Sequence, residues 1–589
     1  MRATNDKKMT KPDLIALGVL FLISLLLAFI YLGNTSGVQT PYRTNGMADS
    51  FVIELEEPEE IKSIGYFGTL SVESQLETIM FSLEFSENGT DWQPYRFKVC
   101  PMDMFAVFYW KKYDFQIPIN AKYFRFTAEN NDYILFELAF FDTNGKQAAV
   151  KSVSGAYPGV ENLCDEQYLV PEKADVMNSM YFDEIYHART AYEHLNYMPY
   201  YEVTHPPLGK LIMSVGIKIF GMTPFGWRFT GALFGALLII PFYMILKRLL
   251  KSTLYAACGT TVFVFDFMRF SLTRMATIDS YPTFFVLFMY YFMLRFCELA
   301  LSYADGEKVA LKEMGLWLSL SGIFMGLGCA CKWTAPFAAV GLAIIFGSIM
   351  FVSAKRSKAK TKKSPLGLVV KTGLWCVIWF IVVPVIIYTL SYKPISAVYG
   401  ESPLNSMMNN AKVMFEYHSQ LTDQHNFASR WYTWPFVYKP LWAYEAPKEL
   451  FENGEVGSIA IFPNPIISWL VIGAVLFILV RTIIKRDGAG AFLLVGFFSQ
   501  FLAWSFISRV AFIYHYFGAY TFGIMLLIYS VKIICERFAK IKPFRYLPFA
   551  LPAVSIVMFI IFYPILTGIP ISKDYASFLR WFESWQFYT

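Results

Sequence analysis

Long apolar runs recur along almost the whole chain. The 589 residues are 56% hydrophobic and only 16% charged, whereas about a quarter of an ordinary soluble domain is charged. A helix needs about 20 mostly apolar residues to cross a bilayer, and eleven runs approach that length. They cover residues 14–32, 224–246, 254–267, 278–296, 315–330, 335–351, 373–390, 466–480, 489–507, 516–531 and 547–566. The sequence therefore predicts a polytopic α-helical membrane protein with about eleven transmembrane helices.

Basic residues in the short connections predict how these helices are oriented. Lys7 and Lys8 precede the first run, and further basic clusters fall in alternate connections. Because short cytoplasmic loops carry an excess of Lys and Arg, residues 1–33 are interpreted as a cytoplasmic N-terminus and a retained first helix. Two large regions, 34–223 and 392–465, then lie on the exoplasmic side. The net charge of +6 is organised by membrane side, and it does not indicate a nucleic-acid partner.

The first of these regions contains a segment with the pattern of β-strands. Between residues 50 and 142, short alternating apolar and polar stretches are separated by turn residues, which favours a β-sandwich over 40–150. The turn at 86–92 and the strands at 122–126 and 136–141 resemble a discoidin or galactose-binding-like domain. That resemblance implies glycan or polypeptide binding, and a simple packing module is equally consistent with the pattern.

Ionisable residues at the ends of the apolar runs carry further information, because a charge at membrane depth is costly without a partner or a task. All of them fall on the predicted exoplasmic side, where Lys and Arg run against the usual bias and an anion is a natural partner. They are Arg228, Arg274, Asp279, Lys332, Arg509 and His515.

Eight motifs follow one another after residue 175. They are Phe182-Asp183-Glu184-Ile185-Tyr186-His187-Ala188-Arg189, His205-Pro206-Pro207-Leu208-Gly209-Lys210, Trp227-Arg228-Phe229, Thr273-Arg274-Met275-Ala276-Thr277-Ile278-Asp279-Ser280, Gly328-Cys329-Ala330-Cys331-Lys332-Trp333-Thr334, Ser429-Arg430-Trp431-Tyr432-Thr433-Trp434-Pro435, Asn464-Pro465 and Arg509-Val510-Ala511-Phe512-Ile513-Tyr514-His515-Tyr516. In this order they resemble the motifs of protein O-mannosyltransferases over residues 175–589. One motif alone is weak, but eight in order are a specific signal.

The resemblance implies a C-type glycosyltransferase fold, with a catalytic loop at 175–223. It implies a multi-pass membrane enzyme, in the plasma membrane if the organism is bacterial, with an exoplasmic active site. The donor would be mannose on a polyprenyl phosphate, and the acceptor a Ser or Thr hydroxyl of a secreted or membrane protein, with no bound cofactor. Eukaryotic members carry a β-trefoil module in the loop that spans only 392–465 here, so acceptor choice transfers least. Dimerisation stays open.

The residue types fit such a transfer. A sugar phosphate brings its own leaving group, so one carboxylate that removes the acceptor hydroxyl proton suffices for an inverting reaction. By the resemblance, Asp183 is that base. Glu184 is expected to hold a motif partner such as Arg228 and not to share the proton.

The departing phosphate calls for fixed cations. Arg509 is the first candidate, with Arg274 and Lys332 as others, and His515 lies near Arg509 in the sequence. His205 either orients the acceptor or fixes the Pro-Pro turn. No set of residues has convincing metal-ligand spacing, so no required metal is expected.

Two alternatives stay open at this stage. A related lipid-carrier glycosyltransferase would share the fold and Asp183 but use a glycan or lipid acceptor. A glycan-binding membrane receptor or transporter would use the β-rich region instead and would tolerate Asp183→Asn. The absence of an inverted repeat in the hydropathy pattern counts against a transporter.

Overall fold

The computed structural model describes residues 8–46, 48–70, 78–95, 99–103, 107–129, 133–361, 366–421, 424–446 and 454–588. Most of this part is helical, as the apolar runs predict. The α-helices are α1 Lys11–Phe29, α2 Glu184–Leu195, α3 Leu208–Phe220, α4 Pro224–Leu237, α5 Ile239–Leu250, α6 Thr253–Val264, α7 Phe267–Arg274, α8 Ser280–Ala304, α9 Leu311–Cys331, α10 Ala335–Thr361, α11 Leu366–Val377, α12 Val383–Ser391, α13 Lys393–Tyr399, α14 Pro403–Gln420, α15 Pro465–Lys485, α16 Gly488–Phe501, α17 Phe517–Arg537, α18 Leu547–Thr567 and α19 Lys573–Leu579.

Ten helical segments of the described chain are long and apolar enough to cross a membrane. They match ten of the eleven predicted runs. The segments are Lys11–Phe29, Pro224–Leu250, Ser280–Ala304, Leu311–Cys331, Ala335–Ala359, Val369–Ser391, Pro465–Lys485, Gly488–Phe506, Ile513–Arg537 and Leu547–Thr567.

The predicted run 254–267 is the exception. Its helix, α6, has 12 residues and is therefore about 18 Å long, too short to cross a bilayer alone. The helix stops because the Asp266 carboxylate accepts the backbone N–H of Arg269 and caps a second helix, α7. The expectation of one continuous helix here was wrong, since hydropathy does not register a cap inside an apolar run.

The helix bundle has two chemically different ends. At one, which we call the basic end, Lys247 Nζ lies 2.8 Å from Asp13 Oδ2 at the start of α1, and Arg248 pairs with Glu298. At the other, the site end, α1 finishes and α8 begins, and the six ionisable residues singled out from the sequence all lie there. The basic clusters that the sequence assigns to the cytoplasmic side and the candidate site therefore lie at opposite ends of the bundle.

Strands are also present where the sequence pattern predicts them, while the sandwich over 40–150 stays a prediction. Eight antiparallel strands form one sheet in the order β1-β7-β2-β6-β3-β4, with β5 beside β3 and β8 beside β2. The first part of β2 pairs with β8 and the later part with β7, around an apolar core separate from that of the bundle. The strands are β1 Tyr42–Arg43, β2 Ser50–Leu70, β3 Thr78–Ser86, β4 Gln93–Pro94, β5 Val99–Asp103, β6 Lys111–Ala128, β7 Tyr133–Asp142 and β8 Val150–Gly155.

This β-domain is fastened to the segment that carries the candidate base. Phe108 packs against Tyr192 of α2 with ring centroids 5.5 Å apart, and its carbonyl accepts the backbone N–H of Met180 at 3.1 Å. Phe67 and Trp110 share the same buried cluster. The β-domain thus supports α2 directly. The sequence also allows a disulfide between Cys100 and Cys164 if this region faces an oxidising compartment. The side chain of Cys100 lies outside the described part, so this pairing stays a prediction.

The described residues of the second predicted loop, 392–421, 424–446 and 454–465, form a layer over the site end. It contains α13, α14, a 3₁₀ helix at Trp431–Phe436 and a strand pair, β9 with β11. Asn410 of α14 donates to the Val203 carbonyl at 2.8 Å, which ties this layer to the 175–223 region. The strands after β8 are β9 Leu441–Glu445, β10 Glu455–Val456, β11 Ser458–Ile461 and β12 Ile571–Ser572.

Gly322 allows α9 to touch the π-helical turn Ile378–Val382 between α11 and α12. A Cβ at Gly322 would lie 2.0 Å from the Trp379 carbonyl oxygen, so we expect Gly322→Ala to separate these helices and destabilise the fold by about 1–3 kcal/mol. Thermal unfolding in detergent measures this. Gly347→Ala on α10 is the matched control, because no atom lies within 4 Å of its Cβ position. Equal melting of the two variants would contradict the proposed close packing.

Candidate active site

Asp183 stands at the N-terminal end of α2, immediately after a strained residue. Phe182 has φ +50°, a left-handed conformation that is unfavourable for a bulky side chain. Its ring packs against Phe512, with centroids 6.5 Å apart. The turn therefore holds Asp183, which is partly buried, between α2 and the segment before α17. No described residue donates a hydrogen bond to the Asp183 carboxylate, so both of its oxygens are available to a substrate.

The surroundings of Asp183 favour a carboxyl group that can exchange a proton near neutral pH. Burial raises its pKa to about 7, against the opposing effect of the Lys332 ammonium, and the negative charges of Asp279 and Glu202 raise it further. A pKa close to the working pH suits a general base. The arrangement thus supplies a proton acceptor that is neither permanently ionised nor permanently protonated.

Glu184 points the other way, into the protein. It is fully buried, and its two oxygens accept the Nε and Nη2 hydrogens of Arg228, each at 2.7 Å. It also accepts the backbone N–H of Ala276 at 2.9 Å and the indole N–H of Trp227 at 3.2 Å. The expected contact between Glu184 and Arg228 is confirmed. The two adjacent carboxylates therefore differ in their surroundings. That of Asp183 is accessible to a substrate, and that of Glu184 is held by hydrogen bonds inside the protein.

Lys332 and Asp279 lie beside Asp183 and neutralise each other. Lys332 Nζ is 2.8 Å from Asp279 Oδ1 and 3.0 Å from Oδ2, and it sits 5.5 Å from the centre of the Tyr514 ring. His515 stacks between Tyr514 and Trp504, with both centroid distances 4.3 Å. The structure brings these predicted residues together as one polar and aromatic wall.

Arg274 is not part of this wall. Its guanidinium donates to the carbonyls of Leu27, Ala28 and Ile30 through Nη1 and of Tyr31 through Nη2. These are the unpaired carbonyls at the C-terminal end of α1, where a cation is favourable. The described donors of Arg274 thus cap a helix, and its expected contact with a phosphate stays a prediction. Arg228 is likewise committed to Glu184 and to backbone carbonyls.

Arg509 has the opposite character, because no described residue accepts a hydrogen bond from its guanidinium or forms an ion pair with it. It lines a cavity of about 750 Å³ together with Arg430 and Lys439. Trp431, Tyr432, Tyr438 and Trp504 supply aromatic walls, and none of the described residues that line the cavity is Asp or Glu. An anion with an apolar attachment fits this combination of three cations and aromatic surface.

His205 belongs to a buried network that the sequence did not predict. Its Nδ1 lies 3.0 Å from Glu202 Oε1 and 3.0 Å from Thr204 Oγ1. Although burial opposes ionisation, the Lys210 ammonium bound to Glu202 holds the pKa of that carboxyl well below its usual range. Burial lowers the pKa of His205. The short i, i+3 spacing of Glu202 and His205 was the only available signal.

The same network bears on metal binding. His187, Glu202 and His205 present three ligand atoms within 4.8 Å of one another, and so do Glu137, Asp165 and Glu166 near the β-domain. In the first group, however, the Lys210 ammonium already binds the Glu202 carboxylate and would repel a second cation. In the second, Thr40 donates to Asp165 and Glu166. The expectation that no metal is required stays a prediction.

The fold and the site together define a class. A multi-pass helical bundle with its site at one end is the architecture of membrane glycosyltransferases of the C type. The donor-bound S. cerevisiae protein O-mannosyltransferase Pmt1-Pmt2 complex has the same fold, with a TM-score of 0.58 at 13% identity over 69% of this chain and 89% of that one.

Comparisons of sequence give the family. Residues 204–388 match the dolichyl-phosphate-mannose-protein mannosyltransferase model, and residues 403–585 match the C-terminal four-helix region of protein-O-mannosyltransferase. The polyprenol-phosphate-mannose--protein mannosyltransferase of Mycobacterium tuberculosis is 26% identical over 69% of this chain and 86% of its own length. The Corynebacterium glutamicum protein of the same name is 22% identical over 65% and 82%. Two protein O-mannosyltransferase models thus match successive parts of this chain, and the chain is a mannosyltransferase.

Removing the partner of Glu184 provides a test of the buried pair. Arg228→Met should leave a carboxylate fully buried without its counter-charge, which destabilises proteins by about 3–5 kcal/mol. The loss of stability in Arg228→Lys should be intermediate between zero and that of Arg228→Met, since an ammonium cannot bind both carboxylate oxygens of Glu184 side by side. Thermal unfolding measures both. Lys412→Met, which removes an exposed pair with Glu416, is the control and should melt like the wild type. A wild-type melting temperature for Arg228→Met would contradict a structural role.

Proposed function

We propose that this protein transfers mannose from a polyprenyl phosphate to Ser or Thr hydroxyls of proteins, with inversion at the anomeric carbon. The observation that carries this proposal is the separation of the acidic pair, which leaves Asp183 as a single unbonded carboxylate with a pKa near 7. An inverting transfer to a hydroxyl needs one base, whereas a glycosidase needs two carboxylates facing one bond. The names of the similar bacterial proteins support mannose as the sugar.

In this mechanism, the acceptor hydroxyl approaches the anomeric carbon while Asp183 removes its proton. The C–O bond to phosphate breaks on the opposite side, and the electron pair stays with the polyprenyl phosphate. The paired Lys332 and Asp279 form the polar wall beside the base. Glu184 and Arg228 position α2 and do not exchange protons with the acceptor.

The donor phosphate is assigned to the Arg509 cavity. Arg509 is half-buried and has no described acidic partner, so it can bind a phosphate without first breaking an ion pair. Arg430 and Lys439 add positive charge to the same cavity. Trp431 and Tyr432 offer surface for the first units of the lipid chain. Arg274, previously a candidate, is left out because α1 occupies its donors.

We also propose a membrane side for the site and a role for the β-domain. The site end is assigned to the exoplasmic face, because the basic clusters occupy the other end of the bundle. The β-domain is proposed as a support for α2, given its contact through Phe108, and glycan binding by a discoidin-like domain stays a second expectation. Dimerisation is not assigned.

The titration of Asp183 predicts the pH dependence of transfer. Its carboxylate must be ionised to act as a base, so kcat/KM should fall about tenfold per pH unit below pH 7 and level off above it. Asp183→Asn should lower kcat by at least about 100-fold. A pH-independent rate between pH 5 and 8 would contradict this role.

The raised pKa of Asp183 also makes the stability of the folded protein depend on pH. Because the folded pKa is raised, the folded protein binds the proton more tightly, and stability falls as pH rises through the window up to about 7. Asp183→Asn mimics the neutral form. Its melting temperature should therefore exceed that of the wild type at pH 8, with a smaller difference at pH 5, and a variant that is simply misfolded would not show this pattern.

Donor binding is tested at Arg509. Charge-assisted hydrogen bonds contribute about 1.5–3 kcal/mol, so Arg509→Gln should raise the KM for polyprenyl-phosphate mannose by about 10- to 100-fold. Lys485→Gln, at the basic end of α15, should leave it unchanged. A lower kcat with an unchanged donor KM would place the phosphate elsewhere.

Acceptor class is tested with radiolabelled polyprenyl-phosphate mannose, a Ser/Thr-rich peptide, and glycan and lipid extracts in parallel. Label on peptide supports protein O-mannosylation, whereas label on glycan or lipid alone indicates a related glycosyltransferase. Absence of any Asp183-dependent transfer would favour a receptor or transporter.

A further inference from the structure

The site end contains a second proton-accepting group that the mechanism above does not use. His205 has a side chain that is 18% exposed, and no described residue bonds its Nε2. Its Nδ1 contacts Glu202 Oε1 and Thr204 Oγ1. The imidazole is therefore anchored through one nitrogen and open to solvent at the other.

The hydrogen bonds fix which nitrogen carries the proton. The single hydroxyl proton of Thr204 is donated to Glu202 Oε1, so it cannot also be donated to His205. Both neighbours of Nδ1 then act as acceptors, and Nδ1–H must be the donor. Nε2 consequently holds the free lone pair. A carboxylate that orients a histidine in this way is the arrangement by which serine hydrolases prepare a base.

Glu202 is itself held firmly in place. Lys210 binds its carboxylate and donates to the Glu202 and His205 carbonyls at 2.9 and 3.1 Å. The backbone N–H of Thr204 donates to Glu202 Oε1 at 2.7 Å. Rotation of the Glu202 carboxylate would break several of these bonds, so the tautomer of His205 is built into the fold.

The position of His205 links it to the base. Asp183 and His187 lie one helical turn apart on α2, with the His187 N–H bonded to the Asp183 carbonyl at 3.1 Å. The His187 ring lies 5.4 Å from that of His205, and the charge of Glu202 influences Asp183. The charged and titratable groups around His205 include Glu202, Lys210, His187 of α2, Lys332 just after α9, His418 of α14 and His515 before α17.

We propose that Glu202 positions His205 as the exit for the proton that Asp183 removes from the acceptor hydroxyl. This inference rests on the proposed function. Each transfer forms one bond between the acceptor oxygen and the anomeric carbon, breaks one bond to phosphate and releases one proton. That proton passes from Asp183 through water to His205 Nε2 and then to bulk solvent, while the lipid phosphate leaves with the electron pair.

Rescue by imidazole tests the assignment. In His205→Ala, kcat should fall by at least about 100-fold, and imidazole up to 100 mM in the assay should restore part of it in a saturable way. Wild type, Asp183→Asn and the control His425→Ala should not respond to imidazole. Glu202→Gln should lower kcat and alter the pH profile with an unchanged donor KM. Its melting temperature is measured alongside, because Lys210 loses its counter-charge.

The possible results for His205→Ala either support or contradict its role as a proton exit. Saturable rescue of His205→Ala supports a proton exit. Wild-type activity of His205→Ala, or a loss with no rescue and a raised acceptor KM, overturns it and makes His205 an acceptor-orienting residue. If Glu202→Gln does not fold, the His205→Ala result stands alone. Failure of the wild type to transfer mannose to any acceptor would refute the proposed function instead.

Discussion

The buried ion pair of Glu184 and Arg228 is the interaction on which the geometry of the site depends. Arg228 uses its Nε for Glu184, one Nη2 hydrogen for Glu184 and the other donors for carbonyls of Leu32, Val176 and Ser179. One side chain thus joins the end of α1, the approach to α2 and the start of α4. Charges buried this deeply are unfavourable unless every donor and acceptor is satisfied, which here requires one arrangement of these segments.

That arrangement explains why neighbouring carboxylates behave differently. Glu184 is surrounded by donors, whereas the Asp183 carboxylate faces Lys332, Asp279 and the Glu202 network and accepts no hydrogen bond from a described residue. The left-handed Phe182 separates the two directions. A proton acceptor with a pKa near 7 therefore follows from where the α2 turn is placed, and the β-domain stabilises that placement through Phe108.

The four cations at the site end differ in the groups that they bind. Arg228 and Arg274 hold the framework, Lys332 is balanced by Asp279, and Arg509 has no described acidic partner. A sequence gives all four the same formal charge, but only an uncommitted cation can gain a phosphate without losing an existing bond. This distinction assigns the donor to the Arg509 cavity and separates it from the buried framework around α1.

The sequence by itself determined the membrane class, ten of the crossing segments, the β-rich region, the family motifs and the contact between Glu184 and Arg228, because hydropathy, strand alternation and ordered motifs are local patterns. The tertiary structure decided the rest. Arg274 caps carbonyls more than 240 residues earlier, Asp266 interrupts an apolar run, and Glu202 meets Lys210 and His205 only in the folded loop. Backbone acceptors and buried charge partners leave no periodic trace in a sequence, since they depend on which segments the fold brings together.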